Sequence, residues 1–171
     1  MHTAPLARQG APNFSRIASS DAVRLVYPDR RWERAFLGVD SQYLWTMSDG
    51  AGALLDGGKR YRLHLPAGIP VTAFCSIAVC ETFHGRLHRT ERRIHAPASE
   101  GASAGRAETE TGIDVFFAPA SPRGCELQWL STAGVGSWFA LLRFCGPLDE
   151  YFEQRWRPDD IHAEHIPWLE E

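Results

Sequence analysis

The sequence predicts a mainly β domain, an antiparallel β-sandwich or jelly roll with one or two short helices. Three observations lead there. Short apolar runs alternate with polar residues at a period of two, Gly- and Pro-rich turn signals separate them, and helical spacing is confined to two brief stretches. Many short strands with frequent turns fit stacked sheets better than an alternating α/β layer.

Taken in order, residues 1–20 are rich in Ala, Pro, Ser and Gly and read as a flexible lead-in, with 21–171 as a single sandwich domain. Val23, Leu25 and Tyr27 alternate before Pro28 and suggest a short strand, and Trp32, Ala35, Phe36 and Val39 fall on one face of a two-turn helix. Tyr43 to Met47 is a strand candidate stopped by Asp49-Gly50. The Asp56-Gly57-Gly58 cluster predicts a hairpin turn, because these residues tolerate the positive φ of a tight reversal. Tyr61, Leu63 and Leu65 alternate with Arg62 and His64, the period of a strand with one wet face. Val71 to Cys80 is apolar on both faces, so it should lie buried from two sides. Arg86 to His95 carries many charges and reads as an edge strand or one that lines something wet. Residues 97–111 lack large apolar side chains and read as a flexible loop. Strands are then expected over Ile113 to Ala118, Leu127 to Ser131 and Trp138 to Cys145, with a short helix from Leu148 to Trp156 and a Trp/Pro-containing tail.

Composition narrows the function classes. A length of 171 residues allows a core without disulfides or structural metal, and 44% hydrophobic with 23% charged residues is ordinary for a globular protein. The formal charge of -3 supplies no basic field for nucleic acid, and no polybasic run addresses a membrane surface, so neither partner is expected. Lys59 is the sole lysine among 18 basic residues, which leaves guanidiniums as nearly all the cations. Neither a secretory leader nor an 18-residue apolar run is visible, and the expected location is cytoplasmic. Cys75, Cys80, Cys125 and Cys145 form no CxxC pair and each lies in an apolar strand-like run, so they are expected to be reduced and buried.

Tyr43, Asp49 and Gly52, followed by LLDGGKRYRLHLPAGIPVTAF and Ser76, resemble the C-terminal module of the domain of unknown function 1214 family. The likeness continues through Arg93-Ile94, Asp114, the QWLS around Trp129, the LLRF around Arg143, Pro147, and Trp156 with Pro158, so it spans most of Asp40 to Ile161. Members are often two-domain bacterial proteins in which this module follows a domain of unknown function 1254, and this chain resembles a standalone form. The resemblance implies a jelly-roll-like sandwich and no particular chemistry, since the family has no general assigned activity.

The same comparison implies that three positions usually held by aromatic rings carry thiols here, at Cys75, Cys80 and Cys145. Close-packed thiols are one expectation. The sharper one is a widened interior cavity for a small organic ligand, lined by Cys75, Cys80, Arg93, Trp129, Arg143 and Cys145. Arg143, inside the apolar run WFALLRFC, needs either an internal carboxylate such as Asp49, Asp56, Glu81 or Asp114, or a ligand anion that it would anchor. An enzyme reading gives proton transfer to Glu81 or His84 in cofactor-free isomerase, cyclase or lyase chemistry. A third reading is a protein-interaction module, with self-association as one form.

Cys75 and Cys80 are an odd number of residues apart, so a regular strand points them to opposite faces and away from one shared ion. His84 and His88 near Glu81 have ligand chemistry without motif spacing; no metal and no cofactor is expected. Walker, GxSxG, GxGxxG and HExxH motifs are missing.

Overall fold

The computed structural model describes residues 14–16, 41–82, 87–95 and 110–164. The expected strand over 23–27, the helix over 32–39, His84, the tail over 166–169 and all but the last two residues of the 97–111 loop lie outside the described residues, as does the side chain of His88. Residues 110–111 form a turn.

Nine strands build a jelly-roll-like β-sandwich from the described residues: β1 (Ser15–Arg16), β2 (Ser41–Thr46), β3 (Tyr61–Pro66), β4 (Val71–Glu81), β5 (Leu87–His95), β6 (Gly112–Ala118), β7 (Trp129–Ser131), β8 (Trp138–Pro147) and β9 (His162–Ala163). A five-stranded sheet runs β1-β2-β8-β4-β5 and a four-stranded sheet runs β7-β6-β3-β9. All these pairings are antiparallel apart from β6 with β7. Ser15–Arg16 lie within the stretch read as a lead-in, and pair with Trp45 and Leu44.

Alternation decides which side chains meet between the sheets. On the five-stranded sheet Leu44, Cys75, Ile77, Val79, Ile94, Ala140, Leu142 and Phe144 face inward; on the other sheet Tyr61, Leu63, Leu65, Ile113, Val115, Phe117 and Leu130 meet them in one buried cluster. Trp138 anchors it, 1% exposed, with Phe117 at 4.8 Å and Tyr61 at 5.9 Å between ring centroids. β4 is buried on both faces from Ser76 to Cys80, as its two-sided apolar pattern requires, and β5 is the sheet's edge strand. The C-terminal helix is shorter than the apolar spacing suggests: α1 covers only Asp149–Phe152. Its Tyr151 packs on Phe144, and Trp156 beyond it donates to the carbonyl of Pro66 at 3.1 Å.

Two expectations need correction. Asp56-Gly57-Gly58 does turn the chain, with Lys59 N–H donating to the Asp56 carbonyl at 3.1 Å and Gly58 N–H to its carboxylate at 2.9 Å. It joins no hairpin, however, because β2 belongs to one sheet and β3 to the other. Neither glycine has a positive φ. Gly57 is required by close approach: a Cβ there would overlap the carbonyl oxygen of Val135, while Gly57 N–H donates to Gly136 at 2.7 Å and its carbonyl accepts from Thr132 Oγ1 at 2.7 Å. Gly57→Ala is therefore expected to lower stability by about 1–3 kcal/mol as the two turns are forced apart, a loss that denaturant unfolding would read.

The second correction concerns Cys125 and the start of β7. Cys125 sits in a turn before a short 3₁₀ segment, Glu126–Gln128, and is only half-buried. That segment takes the place of the first strand residues expected from Leu127, which is largely exposed. All four cysteines are free thiols.

Candidate functional site

The outer face of the five-stranded sheet divides into an apolar half and a polar half. Tyr43, Ala78, Cys80, Phe139 and Leu141 form a second buried cluster there, with Trp45 and Met47 against it. Further along the same strands, register assembles a polar row: Tyr43 on β2 lies opposite Arg143 on β8, Arg143 opposite Ser76 on β4, and Ser76 opposite Arg93 on β5. The next row holds Ser41, Cys145 and Phe74. Cross-strand neighbours on one face touch, so residues about a hundred positions apart in sequence become one surface.

A bulge shapes this end of the sheet. Val71 opposes Pro147 and Phe74 opposes Cys145, which leaves Thr72 and Ala73 facing the single residue Gly146. Gly146 has φ of 66°, and a Cβ on it would overlap Thr72 Oγ1, whose hydroxyl donates to the Gly146 carbonyl at 3.2 Å. Beside the bulge opens a recess of about 540 Å³ lined by Ser41, Thr72, Ala73, Arg143, Cys145, Gly146 and Pro147. Arg143 also lines a second recess, of about 320 Å³, with Phe74, Glu91 and Arg93.

The smaller recess brings together two guanidiniums, one carboxylate and one aromatic ring. The guanidinium carbon of Arg93 lies 4.1 Å from the Phe74 ring centroid and that of Arg143 lies 5.5 Å from it, so two cations share one aromatic ring. Glu91 accepts the Ser76 hydroxyl proton at 3.0 Å. Arg143 lies across the strand pair from Tyr43 and reaches Ser41 Oγ at 3.5 Å, and Ser41 Oγ stands 3.6 Å from Cys145 Sγ. A guanidinium held at its flanks by Phe74, Tyr43 and Ser41 has lost much of its rotamer freedom before any ligand arrives.

Burial pushes the Tyr43 hydroxyl well above the ordinary phenol range, outweighing the opposing pull of the Arg143 charge; it pushes the Cys75 thiol up in the same way, with Cys145 adding to it. Both groups stay protonated in the folded chain at pH values where the unfolded chain, with ordinary values of 10.0 and 9.0, gives its protons up. Their contribution to stability is thus complete below about pH 9 and falls as pH rises beyond it. Urea midpoints taken from pH 8 to 11 should decline, and more shallowly in Tyr43→Phe.

Arg93, Arg143 and Cys145 are brought together here. Cys75 faces the intersheet core opposite Phe144, and Cys80 sits on the outer face opposite Phe139, so the two thiols point to opposite sides as their spacing requires. Cys80 is four residues beyond Ser76, roughly 13 Å along the strand, and Glu81 is a residue further, half-buried opposite Trp138. Trp129 belongs to β7 of the other sheet, where its indole donates to the Ala118 carbonyl at 2.9 Å. Of the carboxylates considered for Arg143, Asp49 accepts from Ala51 and Ala53 N–H, Asp56 from Gly58 N–H, and Asp114 engages His64 at 2.8 Å and Arg62 at 3.9 Å. Tyr43, Phe74, Ser76, Glu91 and Ser41 join the site through register, and their only sequence signal is parity on strands whose pairing the sequence does not state. Among the described residues no group of His, Cys, Asp and Glu is placed to hold a metal ion.

The model of a family described as protein of unknown function (DUF1214) matches residues 40–149, and both recesses lie inside that span. No curated protein matches the chain. Among solved structures, the crystal structure of the VPA0106 protein from Vibrio parahaemolyticus is similar in fold, with a TM-score of 0.58 at 15% identity over 74% of this chain. The matched part covers 31% of that protein, so the chain corresponds to about a third of its length.

Proposed function

The chain belongs to the DUF1214 family of proteins of unknown function, and on that footing we propose that it binds a small organic carboxylate at the polar end of its five-stranded sheet, with Arg143 as anchor. The observation that carries this reading is the pair of guanidiniums, Arg143 and Arg93, gathered on the Phe74 ring at the junction of two recesses. Planar guanidiniums take carboxylates through paired hydrogen bonds, and the aromatic ring fixes their orientation. The recesses open on the outer face of the sheet, whereas the sequence suggested a cavity in the sandwich interior; the Arg anchor is common to both. We read the protein as cytoplasmic, without nucleic-acid or membrane partners, on its charge of -3; no described helix is long and apolar enough to cross a membrane.

A thermal-shift survey of small carboxylates, matched alcohols and amines tests the proposal. Carboxylates should raise the melting temperature of the unmodified chain with increasing concentration, and Arg93→Gln, a change at an exposed position, should reduce that response. Equal stabilisation by the alcohols, or an Arg93→Gln response equal to that of the unmodified chain, would overturn it.

A further inference from the structure

The apolar half of the five-stranded sheet's outer face is buried as deeply as the intersheet core. Cys80 is 0% exposed, Leu141 2%, Tyr43 4% and Phe139 7%, yet these side chains stand on the face turned away from the other sheet. Every described member of the cluster belongs to β2, β4 or β8, apart from Met47 just after β2. Side chains standing abreast on one sheet leave their tips in water, so burial this deep requires a further layer laid on them.

Connectivity selects the occupant. Arg16 on β1 pairs with Leu44 and Ser41 begins β2, so residues 17–40 leave and re-enter the sheet at one corner, beside the strands that carry the cluster. Within them Trp32, Ala35, Phe36 and Val39 fall at helical spacing. The other stretches outside the described residues fit less well: 96–109 hold no apolar side chain larger than Ala or Pro, 83–86 are a short link from β4 to β5, 1–13 offer only Met1 and Leu6 as large apolar residues, and 165–171 follow β9 on the opposite sheet. We infer that the apolar half of the outer face is the docking surface for residues 17–40 of the same chain, with the Trp32, Ala35, Phe36 and Val39 stripe laid on it. The lengths agree, since an eight-residue helix over 32–39 is about 12 Å long and the row from Tyr43 to Met47 is about 13 Å. Val39 stands just before Ser41, so the stripe runs back along β2, with Phe36 toward Tyr43 and Trp32 toward Phe139.

The experiment is thiol labelling of the full chain with iodoacetamide, read at each cysteine by mass spectrometry. Cys80 belongs to the covered cluster and Cys75 to the intersheet core, so the second thiol is an internal control. Both should react slowly in the unmodified chain. The double variant Trp32→Ala/Phe36→Ala should speed labelling of Cys80 by about tenfold and leave Cys75 as it was, because only the outer layer is loosened. Amide exchange over residues 32–39 of the unmodified chain, which depends on no variant folding, should be slowed as it is in β2. Rapid labelling of Cys80 in the unmodified chain, equal acceleration of both thiols in the double variant, or exchange over 32–39 at free-chain rates would overturn the inference. So would protection of Cys80 that grows with protein concentration and ignores Trp32→Ala/Phe36→Ala, which would make a second copy the cover.

Discussion

Trp138→Ala is expected to lower the stability of the chain by about 3–5 kcal/mol, the usual cost of truncating a large buried ring. Trp138 is 1% exposed, its ring packs on Phe117 and Tyr61, and Phe117 and Tyr61 belong to the sheet opposite its own. Removing it takes contacts from both layers at once. Its indole nitrogen is buried with no hydrogen-bond partner among the described residues, so Trp138→Phe loses ring volume but no hydrogen bond there and should cost well under half as much. Denaturant midpoints for the two variants separate packing from polarity. Equal losses would show that ring volume is not what Trp138 contributes.

The second large effect is expected at Arg143. Arg143→Gln removes the charge that faces both recesses and should weaken carboxylate binding by about 10- to 100-fold, since hydrogen bonds to charged groups are worth about 1.5–3 kcal/mol each. It also removes the hydrogen bond to Ser41 Oγ, with a stability cost of about 1 kcal/mol for a half-buried group. Binding and unfolding should be measured on the same preparation. A variant that loses stability and keeps its affinity would make Arg143 a purely structural residue.

How much of this could be read from the chain depends on whether the signal is local. The period-two pattern of Tyr61, Leu63 and Leu65 locates β3, and the two-faced apolar run locates β4, because burial on one or both faces is written in consecutive residues. The edge position of β5 follows from its charges in the same way. Parity alone was enough to send Cys75 and Cys80 to opposite faces. Gly57 shows where local signals become ambiguous. A glycine serves a positive-φ turn or a close backbone approach, and only the distant Val135 carbonyl reveals which. Without that contact, the Asp56-Gly57-Gly58 turn reads as a hairpin although it carries the chain between sheets.

The site lies at the far end of that scale. Arg143 stood out by itself, a guanidinium in an apolar run. Its neighbours Tyr43 and Ser76 are set by strand register across about 100 and 67 positions, respectively, and no local pattern specifies register between strands so far apart. The bulge at Thr72 and Ala73, which shifts that register and borders the larger recess, leaves only a Gly146 as its mark in the sequence. Of the three cysteines expected to line one cavity, Cys145 borders a recess, Cys75 fills the intersheet core, and Cys80 fills the apolar half of the outer face.

The most direct measurement of the central claim is an NMR titration that follows the arginine Nε–Hε correlations of ¹⁵N-labelled protein as butyrate, a small carboxylate, is added. The account predicts that the Arg143 and Arg93 signals move together along one saturable curve, while the signal of Arg123, on an exposed turn, stays in place. Saturable binding that shifts other arginines, or leaves Arg143 and Arg93 where they were, would contradict it.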